Sequence, residues 1–188
     1  MSSELRVDKI IPTTGVPTNG GGGIIQIQQT VKTDTWTTDS ANNYPAFEEV
    51  TGLNVSITPK FSSSKLLVTA SVNYSTDYWQ GFGQLWRGIG GASRSVLNAA
   101  TGDAAGTRVR YTFTNLQYQG AVGANNQYHG TVNFLDSPNS TQTVSYSIAM
   151  RGYSTSYNVY VNRNSNDIDS TSYYGRGMSS ITVMEVSA

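Results

Sequence analysis

The single histidine of the chain, His129, is the one side chain whose ordinary pKa would suit a general base near neutral pH. A Ser-His-Asp triad needs such a base beside a nucleophile and an acid, but no Gly-x-Ser-x-Gly turn is present. One histidine and no cysteine also leave too few nitrogen and sulfur ligands for the usual zinc sites. We therefore interpret His129 as a packing or surface residue.

Carboxylates can act without histidine, because paired acids hydrolyse glycosidic bonds. Glu48 and Glu49 are adjacent, which places them on alternate sides of a strand rather than facing each other. We expect no catalytic pair among the acids that we considered, which are Asp34, Asp39, Glu48, Glu49, Asp77, Asp103, Asp136, Asp167 and Asp169.

One segment is rich in side-chain oxygens, the ligands that calcium accepts. It alternates Asn162, Asn164 and Asn166 with other residues and continues to Asp167 and Asp169. The glycine and the terminal glutamate of an EF-hand loop are missing, so a solvated turn is the simpler interpretation. Neither Gly20–Gly23 nor Gly88–Gly91 is followed by the Lys-Ser/Thr pair of a phosphate loop. We predict no metal, no cofactor and no enzymatic activity.

Aromatic residues in predicted loops suit recognition better than catalysis, because their rings stack on sugar faces. Trp79, with Tyr78 beside it, falls at a predicted loop tip, and a second such loop contains Tyr173, Tyr174 and Arg176. The residues after Trp79 fit a strand, with Gln84 and Trp86 on one face and Leu85 and Arg87 on the other.

Composition narrows the class of partner. Lys plus Arg and Asp plus Glu each total 12, and no block of like charge is present, so we expect no nucleic-acid binding. No apolar run has the roughly 20 residues that cross a membrane, so we expect no membrane insertion. The N-terminus lacks the pattern of a signal peptide, which favours synthesis in the cytoplasm. Charged residues are only 13% of the chain, a polar but weakly charged composition typical of exposed proteins.

A period of two dominates the sequence from Ile24 onward and predicts an all-β fold with antiparallel sheets. The predicted strands contain Ile25–Val31, Leu53–Ile57, Leu66–Tyr74, Val109–Phe113, Val132–Phe134, Val144–Met150, Val159–Val161 and Ile181–Glu185. The segment Ser93–Ala100 predicts a loop with one helical turn at most. We predict a β-sandwich or jelly roll over residues 24–188, preceded in residues 1–23 by a short strand and a Pro/Gly-rich linker.

Several segments in order resemble virion structural and fibre proteins of tailed bacteriophages, especially those of marine bacteria. They are Glu4–Pro12, Gly22–Trp36, Val50–Pro59, Ser63–Val68, Asp136–Pro138 and Ser180–Val186. The resemblance implies a jelly roll similar to the trimers of the tumour-necrosis-factor and C1q type.

The resemblance further implies a short homotrimeric fibre or spike, with the N-terminus attached to another capsid or tail protein through Leu5, Val7, Ile10 and Ile11. The distal loops would then meet the host, with a surface glycan as a further partner. A capsid decoration protein and a host-glycan-binding module stay open as alternatives. Twelve tyrosines independently favour self-association, since they exceed the needs of one narrow core and tyrosine is enriched at interfaces.

Overall fold

A computed structural model of the 188-residue chain describes residues 23–77, 80–115, 126–170 and 174–187. Strands make up 50% of the structure and helices 5%, which confirms the predicted all-β class. All of the predicted strand and linker of residues 1–23 except Gly23 lies outside the described residues. No helix in the described part of the chain has the length and apolarity to span a lipid bilayer.

Within the described ranges, eleven strands form two antiparallel sheets. They are β1 (Ile24–Lys32), β2 (Trp36–Thr37), β3 (Glu48–Ile57), β4 (Lys65–Thr76), β5 (Phe82–Ile89), β6 (Ser95–Val96), β7 (Phe113–Thr114), β8 (Tyr128–Asp136), β9 (Val144–Arg151), β10 (Val159–Val161) and β11 (Ser179–Val186). Helix α1 (Ser40–Asn43) and a 3-10 turn at Asn98–Ala100 complete the structure.

The front sheet has the order β1, β11, β4, β8, with the short pair β2 and β10 continuing the rows of β1 and β11 beside the last residues of β4. The back sheet has the order β3, β9, β5, and the far edge of β5 is shared by β6 and β7. The chain alternates between the sheets from β3 to β4, β5, β8, β9 and β11, as a jelly roll does.

The core lies between the sheets and is built from alternate residues of each strand. Leu53, Leu66, Leu85, Ile148 and Ile181 are fully buried there, so the period of two in the sequence reports the buried faces correctly. Trp86 lies on the opposite face of β5 from Leu85, and its indole nitrogen donates a hydrogen bond to Gln84 at 3.0 Å, as the predicted alternation requires.

One strand prediction is wrong. Of the segment Val109–Phe113, only Phe113 belongs to a strand, β7, and the preceding residues form a loop. The Thr112 amide donates to the Gly83 carbonyl oxygen and its hydroxyl accepts from the Leu85 amide, so the segment borders β5 without building a full ladder. The predicted turn in Ser93–Ala100 is present as the 3-10 turn, accompanied by β6.

Candidate functional site

The two ends of the sandwich carry different parts of the chain. At the end that we call the near end, the Ser187 amide donates to the Gly23 carbonyl oxygen at 3.0 Å, and Thr58 contacts Thr143. At the opposite end, which we call the far end, β4 finishes at Thr76 and β11 starts at Ser179. Any segment that precedes Gly23 therefore joins the fold at the near end. β4 ends at the far end, and the loop after β10 packs beside that end, against Asn73 and Ser75 of β4.

A polar network built around Tyr160 organises the far end. Its hydroxyl donates to Asp77 Oδ1 at 2.7 Å, and the other oxygen of Asp77 accepts from the Asn158 amide at 2.9 Å. The guanidinium of Arg163 lies 4.2 Å from the centre of the Tyr160 ring, a cation–π contact. Burial, followed by the hydrogen bond to Asp77, raises the pKa of Tyr160 to about 12. The phenol therefore keeps its proton and acts as a fixed donor.

The network continues into the loop that precedes β11. Asp167 accepts from Arg176 at 2.7 Å and lies 3.5 Å from Arg163, so one carboxylate joins two arginines. Beside this ion pair is an open pocket of about 240 Å³, bordered also by Asp169 and Tyr174. A phenol, carboxylates and a guanidinium around one hollow can bind the hydroxyl groups of a polar ligand.

The structure brings together two of the predicted recognition residues, Tyr174 and Arg176, in this far-end pocket. Tyr78, Trp79 and Tyr173 lie outside the described residues, as do the predicted attachment residues Leu5, Val7, Ile10 and Ile11. Asp77 directly precedes Tyr78, so the first predicted recognition loop begins at the same end of the sandwich as the second.

The segment Asn162–Asp169, which is rich in side-chain oxygens, is held in place by hydrogen bonds of its asparagine side chains. Asn162 is fully buried with a φ of 62°, and its side-chain nitrogen donates to the carbonyl oxygens of Lys32 and Asp34, each at 2.9 Å. The side-chain oxygen of Asn164 accepts from Gln127 and from the Gly175 amide. The side-chain oxygens of both asparagines are thus engaged within the protein, since that of Asn162 accepts from the Ser179 hydroxyl at 2.7 Å.

Most of the other predicted acids have partners of their own on separate elements. Both oxygens of Asp136 accept from Nη1 of Arg87 at 2.8 Å, and one of them also accepts from the Tyr146 hydroxyl at 2.6 Å. Burial raises the pKa of that tyrosine. Glu49 pairs with Arg94 on the back sheet. Among the described residues, no group of three or more His, Asp or Glu side chains is close enough to hold a metal ion. His129 is exposed on β8, opposite Asn73 of β4.

No protein-family model matches the sequence, and no curated protein is significantly similar to it.

The outer face of the front sheet carries a continuous apolar row. Strand pairing places Ile27 of β1 opposite Met184 of β11, Met184 opposite Leu67 of β4, and Leu67 opposite Leu135 of β8. All four side chains point away from the core, and Ile27 and Leu135 are 53% and 54% exposed. Ile24, 58% exposed, lies opposite Val186 beside the row. We call this set the apolar row.

The next two rows of this face carry no charge and are polar except for Val31, which is 47% exposed. They hold Gln29, Thr182, Thr69 and Asn133, and then Val31, Ser180, Ser71 and Thr131. Lys65 and His129 lie at its two margins. Covering an apolar row that has uncharged neighbours costs little hydration energy, and such a surface is suited to a protein interface.

Proposed function

We propose that this chain is a structural protein of a bacteriophage virion, a short homotrimeric fibre or spike that displays a jelly-roll knob. The observation that carries the proposal is the apolar row on the uncharged outer face of the front sheet. Apolar side chains that cross four strands on an open face favour association, because soluble monomers seldom expose a contiguous patch of this kind.

The size of the face suits a subunit contact. Four strands spaced by about 4.8 Å, each about eight residues of 3.4 Å in length, give a face of roughly 20 by 27 Å. In a ring of three, each subunit offers this face to one neighbour and a different surface to the other, because interfaces that close a ring are heterologous. The resemblance to trimeric jelly rolls is the reason for proposing three copies.

The placement of the chain ends supports a fibre arrangement. Because Gly23 lies at the near end, the preceding segment with Leu5, Val7, Ile10 and Ile11 can join that end to another capsid or tail protein. The loops of the far end would then point away from the particle. A capsid decoration protein would have the same arrangement. The proposed orientation is the same whether the N-terminal segment contacts the head or the tail of the particle.

We propose no catalytic activity, cofactor or nucleic-acid partner for this protein. Support comes from Glu49, Asp77 and Asp136, whose carboxylates pair with an arginine, tyrosines and a backbone amide on separate elements. The balance of 12 basic and 12 acidic residues supports the same view, since phosphate binding draws on excess positive charge.

The mass of the protein in solution tests the proposal. Light scattering coupled to size exclusion is expected to give three times the chain mass of 20.3 kDa. Leu135→Glu and Leu67→Glu place a charge within the apolar row and are expected to yield folded monomers, because an unpaired charge at an interface core is costly. Ile168→Glu, at an exposed apolar residue of the far end, is the matched control and should leave the trimer intact.

Leu67 and Leu135 lie on the outer face of the sheet, so Leu67→Glu and Leu135→Glu should leave the fold intact. Circular dichroism checks this and separates dissociation of the trimer from unfolding of the subunit. A wild-type monomer at micromolar concentration, or trimers that tolerate both glutamates, would contradict the proposed assembly.

Host-glycan binding is a second function that is compatible with the first. The far-end pocket favours it, because Tyr174, Arg176 and Asp169 border one hollow at the end opposite the proposed attachment. The sugar-binding assay described in the next subsection tests this pocket through Arg176→Gln.

A further inference from the structure

A second and larger hollow, of about 430 Å³, lies beside the start of β5 on the back sheet. Phe82 and Tyr111 line one side, and the loop from Gly102 to Arg110 lines the other. We call it the Tyr111 groove. None of its residues belongs to the apolar row, which lies on the opposite sheet.

The walls of the Tyr111 groove are fixed by the protein itself. Arg110 donates from Nε to the Gly102 carbonyl oxygen at 2.7 Å and from Nη1 to the side-chain oxygen of Asn98 at 3.0 Å. Its own carbonyl oxygen accepts from Gln84 of β5 at 2.7 Å. A groove held in this way is preformed, so a ligand does not have to order the loop when it binds.

Two aromatic rings line one side of the groove: the buried ring of Phe82 packs behind the exposed ring of Tyr111. Phe82 is only 8% exposed, and its ring centre is 5.4 Å from the guanidinium of Arg151 and 5.5 Å from the Tyr111 ring. Tyr111 is 38% exposed. An aromatic ring that is braced from behind and open in front can stack on the apolar face of a ring-shaped ligand.

Polar groups face the same groove from the loop. The carboxylate of Asp103 has no hydrogen-bond or ion-pair partner among the residues that the structure describes, and it can accept from two hydroxyls. Arg108 donates to the Ala105 carbonyl oxygen at 3.2 Å, which leaves further N–H donors of its guanidinium. Stacking on one side with acceptors and donors on the other is the combination that a sugar ring requires.

We propose that the Tyr111 groove binds a pyranose unit of a host-surface polysaccharide, with the sugar on the Tyr111 ring and its hydroxyls on Asp103 and Arg108. This inference rests on the host-adhesion part of the proposed function and names its site. The far-end pocket is the weaker sugar site, because Asp167 and Arg176 there already neutralise each other.

Saturation-transfer NMR on the full-length chain tests the groove, with the methyl glycosides of glucose, galactose, mannose, N-acetylglucosamine and glucuronic acid as probes. At least one glycoside is expected to receive saturation. Tyr111→Ala should weaken its binding about tenfold or more through the lost stacking contact, whereas Tyr111→Phe should keep it. Tyr153→Ala removes an exposed tyrosine elsewhere and is the matched control.

Asp103→Asn and Arg108→Gln serve as second variants if Tyr111→Ala does not fold, and each is expected to reduce binding. Saturation of none of the five glycosides would overturn the inference. So would loss of binding in Arg176→Gln with full binding in Tyr111→Ala, or dissociation of the trimer by Tyr111→Ala. Lost sugar binding in a variant that keeps the trimer mass separates this site from the proposed assembly.

Discussion

At the scale of single residues, Glu185 shows how a charge is kept inside a sandwich. It follows Ile181 and Val183 on the inner face of β11 and is fully buried. Its carboxylate accepts from the side-chain amide of Gln26 and from the Lys60 and Phe61 amides, at 2.7 and 3.4 Å for the latter two. Burial by itself raises the pKa of Glu185, but these donors outweigh it, so the pKa lies below the ordinary value of 4.5.

The lowered pKa predicts an acid-dependent contribution to stability. The charged form gains its hydrogen bonds only in the folded state, so the contribution is complete above the unfolded pKa and is lost as the pH falls through the folded pKa. At pH 7, Glu185→Gln is expected to lower the free energy of unfolding by about 1–3 kcal/mol. The difference from wild type should shrink below pH 4.5. Denaturant titrations from pH 3 to 7, on the scale at which carboxylates titrate, measure it.

Asp169→Asn is the matched control for Glu185→Gln, because Asp169 is an exposed acid in a loop. Its stability should follow that of the wild type at every pH. A deficit in Glu185→Gln that is the same at both ends of the pH range would contradict the role assigned to the charge.

The sequence predicts which face of a strand each residue lies on, but it does not predict which distant residues that side chain contacts. The alternation in Ile181–Glu185 places Glu185 on the same face as two buried aliphatic residues, so its burial follows from the pattern. Its donors come from β1 and from the turn after β3, more than a hundred residues away in sequence. Such pairings depend on strand order, which local periodicity does not report.

At the scale of elements, the position of Phe113 explains two glycines inside strands. A Cβ atom built on Gly83 of β5 or on Gly130 of β8 would lie 2.2 Å from the Phe113 ring. The ring therefore occupies the space that two side chains would fill, and it connects the edge of the back sheet to the front sheet. Glycine in a strand interior is ordinarily unfavourable, so a close approach of this kind gives it a reason.

Gly130→Ala is expected to destabilise the fold by about 1–3 kcal/mol, because the added methyl overlaps a buried ring. Gly102→Ala is the control, since a Cβ there meets nothing within 4 Å. Thermal unfolding of both variants measures the difference. Equal melting temperatures would show that the ring moves aside without cost.

The strand prediction at Val109–Phe113 is wrong because the chain here pairs with β5 over only two residues. Alternating Val109, Tyr111 and Phe113 fit a strand by pattern, but β5 offers a ladder only at Phe82 and Gly83. Arg110 and Thr112 instead make side-chain hydrogen bonds to the 3-10 turn and to β5. A local pattern indicates which side chains can face a core, and the neighbouring strand decides whether a ladder forms.

At the scale of the whole molecule, the apolar row is the feature that sequence reasoning missed. Its members lie on four strands that are far apart in the chain, and most of their neighbours on the same face are polar. The adjacent pair Leu66 and Leu67 was the available signal, because two successive leucines in a strand cannot both face the core. Only the register shows that Leu67 has apolar neighbours.

The separation of the two ends predicts the orientation of the protein on a particle. An epitope tag inserted after Asp169 at the far end should be recognised by antibody on intact virions. The same tag inserted after Asn139, in the exposed turn that follows β8 at the near end, should be recognised weakly. Immunogold labelling compares the two insertions. Stronger labelling of the Asn139 insertion would reverse the proposed orientation.

The ladder between β1 and β11 has a mechanical consequence for a tethered protein. Gly23 lies at the near end, and eight residue pairs join β1 to β11 along the length of the sandwich. A pull between a tether at that end and a target held at the opposite end runs parallel to these strands. All the hydrogen bonds of the ladder then resist the force together in shear, whereas a perpendicular pull would break them one at a time. Pairing with β11 therefore makes β1 the strand that resists extraction under load.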